Sequence, residues 1–160
     1  MPAKHSPTRR VPSMRGVTAL ENPALQQLAL KALAQRAGSA AGASALAAAA
    51  QRAYDNLAQV AAPLIGQVGV DALTGRTLYL AQRKYPWLVH TREPEQWKGP
   101  FAQIVFCLER QDPAVATEAA GAVLTIFTGL LVTFIGEPLT TRLLRKAWPD
   151  AFSDASIEET

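Results

Sequence analysis

The chain has 160 residues, of which 49% are apolar and only 18% charged, with a net charge of +3 and a pI near 9.3. That length suits one domain with a single core, and a charged fraction below the usual level of about 25% points to helices that mostly face one another. One cysteine, Cys107, excludes an intrachain disulfide and a thiolate metal cluster, and favours a reducing compartment.

Charge is unevenly spread. Lys4, Arg9, Arg10 and Arg15 crowd the N-terminus, while Asp150, Asp154, Glu158 and Glu159 crowd the C-terminus. Residues 1–21 show no hydrophobic period and read as a disordered basic arm. No apolar stretch follows their cations, which argues against a secretory signal, and three prolines argue against the amphipathic helix of a transit peptide. Asn22-Pro23 opens the first helix, because Asn caps free N–H groups and Pro fits the first helical position. From Ala24 to Arg36, Leu25, Leu28, Ala29 and Ala32 form one buried stripe.

The small-residue run Ala37–Ser44 reads as a connector, with Ser44 as cap of a second helix that kinks or ends near Pro63. Leu64–Val70 carries the chain on with a bend. Asp71 then caps a helix to Lys84, with Leu73, Thr77, Leu80 and Ala81 inward. Tyr85–Pro100 is one long irregular stretch. Phe101–Glu109 has helical spacing, and Asp112-Pro113 repeats the cap-plus-proline device. Pro138 starts a last helix ending at Trp148-Pro149. The expected fold is all-α: an irregular bundle of five to seven helices over residues 22–149, with an acidic tail at 150–160.

Ala119–Gly136 is the most telling segment, eighteen residues without a charge. Gly121, Thr125 and Gly129 recur every fourth residue, with Gly136 close to the same side, so this stripe is expected to pack helix against helix. Leu124, Phe127, Leu131, Phe134 and Ile135 lie opposite. The primary expectation is a helix buried inside a cytoplasmic bundle, with the uncharged Asn56–Val70 as its natural partner. The alternative is a membrane span, since nine large apolar residues contribute roughly −3 to −5 kcal/mol toward insertion. Against it, Arg142, Arg145 and Lys146 would hold the far end in the cytoplasm and send more than half of the chain across.

No catalytic constellation is legible: no nucleophile elbow, no His-Glu-x-x-His and no phosphate loop. Neither cofactor nor metal is implied, since His5, His90 and Cys107 lie in separate segments. The surfaces expected to meet a protein partner are the aromatic stretch, through Tyr85, Trp87, Arg92 and Trp97, and the last helix, through Arg142, Arg145 and Trp148. The functional expectation is a non-catalytic regulatory or scaffolding module that binds a protein and can self-associate. A membrane-associated accessory subunit is the second reading, and an enzyme or ligand sensor with its site near His90 the third. Nucleic acid is not an expected partner, because the basic arm is too sparse.

Overall fold

The structure is a computed structural model that describes residues 22–38, 42–88, 99 and 101–152. Among these residues it is all-α: α1 (Pro23–Ala37), α2 (Ala43–Lys84), a 3-10 turn (Pro86–Leu88), α3 (Ala102–Leu108), α4 (Pro113–Ile135) and α5 (Glu137–Ala147). One further helical turn at 149–152 adds the buried Ala151 to the body. The segments 1–21, 39–41, 89–98 and 153–160 lie outside the described residues, and with them the basic arm and most of the acidic tail.

Local signals explain most boundaries. The Asn22 side chain accepts hydrogen bonds from the Ala24 and Leu25 backbone N–H groups at 2.8 and 3.3 Å, with Pro23 at the first helical position. Asp112 precedes Pro113 as expected, but its side chain caps nothing. Ser44 is not a cap either: α2 starts one residue earlier, after an extended Gly42. Asp71 lies inside α2, where its carboxylate accepts a hydrogen bond from the Gln67 amide at 3.0 Å.

The largest departure from the sequence reading lies at Gly66. The expected bend near Pro63 is a full reversal. Tyr54 and Thr74 are twenty residues apart, yet their hydroxyls lie 2.8 Å from each other. A straight helix would separate them by about 30 Å. The chain therefore doubles back at Gly66, whose φ of 83° and ψ of 156° lie in a region open essentially to glycine alone. Pro63, with no N–H to give, stands one turn before it. The two arms, 43–65 and 67–84, form a helical hairpin.

Three contacts fix how the hairpin lies on α4. Tyr54 meets Phe127 edge-on at 5.6 Å and stacks on Phe101 at 4.4 Å, while Tyr85 at the end of the second arm reaches Glu118 near the start of α4. The second arm thus runs antiparallel to α4 and the first arm parallel to it. α1 crosses the same helix, with Leu30 over Gly121. Enclosed in this way, α4 buries residues from both its small stripe and its large one: Gly121, Thr125, Thr128 and Gly129, but also Leu124, Phe127 and Leu131. The expected division into two faces disappears because neighbours surround the rod.

The hydroxyls are spent within the helix, as the sequence suggested. Thr125 donates to the Gly121 carbonyl at 2.7 Å and Thr128 to the Thr125 carbonyl at 2.9 Å. Among the described residues, no buried side-chain nitrogen or oxygen lacks a partner. By length and composition α2 and α4 each suffice to cross a membrane, a test that a helix buried by its own chain also passes. The most apolar window of α4 is 56% buried, against 22% in α2, which is no single rod.

Gly136 departs from the packing role assigned to it. With φ at 92° it turns the chain between α4 and α5, and a Cβ placed there would meet only Pro138, at 3.8 Å. Gly121 does pack: its Cβ would stand 2.8 Å from Leu30 Cδ2. That atom is the far end of a half-buried side chain able to swing, and alanine is the better helix former by about 1 kcal/mol. Gly121→Ala should therefore stay within about 1 kcal/mol of the parent in urea unfolding, whereas Gly121→Leu should lose about 1–3 kcal/mol by overpacking. Equal stability of all three would mean that α1 does not press on α4.

Candidate functional site

Most residues nominated from the sequence as contact surface turn inward or lie outside the described part. Trp148 is the clearest correction. It is 0% exposed, and its indole N–H donates to the Ala53 carbonyl at 3.0 Å, joining the end of α5 to the first arm of α2. An indole offers a large apolar body with one donor, so a buried carbonyl satisfies it fully. Tyr85 is buried too, and its phenol donates to a Glu118 carboxylate oxygen at 2.9 Å. Trp87 is half-buried against the Tyr85 ring at 5.7 Å. Arg142 and Arg145 are exposed, and Arg145 stacks its guanidinium over Phe152 at 4.6 Å. Arg92, Trp97 and His90 lie outside the described residues.

A polar staple escaped the sequence reading. Arg36 gives Nε and Nη2 to the Asn56 side-chain oxygen at 3.0 and 2.8 Å, Nη1 to the Ala32 carbonyl, and Nη2 also to the Ala147 carbonyl at 3.1 Å. One side chain thereby ties α1, α2 and the open end of α5, while Arg52 donates to the Arg36 carbonyl. Burial lowers the guanidinium's proton affinity, and Asp150 opposes that effect. Arginine remains charged at any physiological pH, so this is a fixed structural cation.

Chemistry finds little foothold. Among the described residues no three of His, Cys, Asp and Glu gather where a metal ion could sit. Cys107 is buried, its thiol facing the Leu88 carbonyl at 3.5 Å. Burial pushes its pKa up, away from the thiolate needed for attack. A cleft of about 680 Å³ opens between α1, the end of α2 and the middle of α4. Leu80, Ala122 and Ile126 form its apolar wall, and Arg83 and Lys84 its rim. Its size suits a small molecule. Convergent polar groups are wanting, since the Thr125 hydroxyl is already given to Gly121.

The distinctive surface is at the other end of α4. Among the described residues six large hydrophobic side chains are exposed, and four belong to two neighbouring reversals: Leu64 at 49% and Val68 at 82% flank Gly66, while Phe134 at 62% and Leu139 at 38% flank Gly136. Tyr85 against Glu118 marks one end of the bundle, and Tyr54 between Thr74 and Phe127 marks its middle. Continuing in the same direction, the second arm reaches Gly66 after eight residues and α4 reaches Phe134 after seven. Both turns therefore lie at the same end. No charge occurs from 56 to 70 or from 119 to 136, so the crown is apolar down to Asp71 and Glu137. The signal was present in the uncharged Asn56–Val70 run, but the reversal that exposes its middle was not.

Burial, then the hydrogen-bonded and repelling Glu118 carboxylate, push the Tyr85 phenol from its ordinary value of 10.0 up to about 12. The unfolded chain releases this proton near pH 10 and the folded one only near 12. The raised value thus contributes stability that is complete below pH 10 and disappears as pH climbs to about 12. Urea midpoints should fall more steeply across that window in the parent than in Tyr85→Phe, and parallel declines would contradict the assignment. In comparisons with protein-family models, curated proteins and solved structures, the chain matches none.

Proposed function

We propose that this chain is a non-catalytic helical adaptor, a regulatory or scaffolding module that docks through the apolar end of its bundle. One observation carries the reading: four of the six exposed large hydrophobics described are gathered at the Gly66 and Gly136 turns, above a body whose other apolar side chains are largely enclosed. Scattered single hydrophobics are ordinary on a protein surface, whereas a cluster at one pole marks a site of contact. The buried Tyr85 and the half-buried Trp87 support the same choice, because they withdraw the start of the aromatic stretch from the surface.

Val68 and Phe134 are exposed, so Val68→Asp/Phe134→Asp should leave stability within about 0.5 kcal/mol per site. In affinity purification of the tagged full chain from its native cells at low salt, the parent should retain a binding partner or membrane fraction and the double variant should lose it. Retention of the same material by the variant would remove the apolar end from the docking role.

A further inference from the structure

We infer that the apolar end seats on an anionic lipid surface, dipping into the headgroup–acyl boundary without crossing the bilayer; this rests on the docking reading above and names its partner. Depth is the first argument. From Gly66 the second arm runs five residues, about 8 Å, before the exposed Asp71, and from Gly136 the chain runs six residues, about 9 Å, before the exposed Arg142. An apolar crown of that height matches the roughly 5–10 Å reached by proteins that lie in a membrane interface, and falls far short of the ~30 Å needed to span.

Charge is the second argument. Leu139, Arg142 and Lys146 recur at positions i, i+3 and i+7 of α5 and are all exposed, so one stripe descends from the crown into cations. Arg145 adds a third. With the crown in the acyl boundary, these groups sit at headgroup depth, where each Lys or Arg favours anionic lipid by about fivefold. The start of the chain adds to the same pole. Asn22 borders a small cavity with Val132 and Glu137, so residues 1–21, with Lys4, Arg9, Arg10 and Arg15, are joined at the crown end.

Size is the third argument. Stable protein interfaces take about 20–30 residues a side, whereas the crown presents four large side chains. A second copy of this chain would find too little surface there. A lipid interface needs no matching shape and accepts a small apolar crown with flanking cations.

Sedimentation of the purified full chain with vesicles tests this directly. Vesicles of phosphatidylcholine mixed with phosphatidylglycerol should carry the protein down at low salt, with binding at least about tenfold weaker to phosphatidylcholine alone or at high salt. Val68→Asp/Phe134→Asp should abolish binding to both, with unchanged thermal unfolding. Arg142→Glu/Lys146→Glu should remove the preference for anionic lipid. No sedimentation with either vesicle, equal binding to both, or binding that survives both double variants would overturn the inference. So would a dimer in size-exclusion chromatography that the Asp variants dissociate. If the vesicles fail while those variants still lose the native partner, docking through this end stands and the lipid assignment alone falls.

Discussion

The reversal at Gly66 is the constraint on which the rest of the bundle depends. It needs a residue without Cβ at a φ of 83°, and Pro63 one turn earlier weakens the helical ladder where the chain must leave it. Once the chain has turned, the two arms are held by polar contact as well as by packing. Thr74 gives its only hydroxyl proton to the Val70 carbonyl at 2.8 Å, so Tyr54 must be the donor in the hydroxyl pair across the hairpin. Both groups are buried, and neither is left unsatisfied. A slip of one arm along the other would strand two hydroxyls in the core, which fixes the register far more firmly than alanine contacts could.

From that hairpin follows the fate of α4. A rod with no charge over eighteen residues has to be covered, and one straight partner helix would cover only one side. Two arms, with α1 crossing at Gly121 and α5 folded back from Gly136, enclose most of its girth. Small residues make the enclosure close: Ala47, Ala50, Ala53 and Ala61 on the first arm are all fully buried. The same geometry leaves one pole uncovered. A hairpin must expose its apex, and α4 must turn somewhere, so the two corners place Leu64, Val68, Phe134 and Leu139 in solvent together. Core and contact surface come from one folding decision.

The fold class, the cap at Asn22, the helical path of α4 and its self-satisfied threonines were all legible in the sequence, because each rests on local chemistry or short-range periodicity. The hairpin was not. A proline and a glycine three residues apart announce a break in a helix, but its angle depends on what the two arms pack against. Trp148 was misplaced for a related reason: on an amphipathic helix the apolar face is visible, but the surface that covers it is supplied ninety-five residues earlier, by Ala53. Gly136 looked like a packing residue because it fell on the stripe of small residues, although Glu137-Pro138 directly after it already signalled a turn. The Arg36 staple could not be foreseen, since an arginine in a last turn also suits the helix dipole without any distant partner.

The doubled-back α2 can be measured as a distance. Spin labels at the exposed positions Asp55 and Gly75, introduced as cysteines in a Cys107→Ser background, sit one on each arm. Packed antiparallel helices lie about 8–10 Å apart, so pulsed electron resonance should return a separation of about 10–20 Å. A separation near 30 Å, that of twenty residues in an unbroken helix, would contradict the hairpin and with it the enclosure of α4.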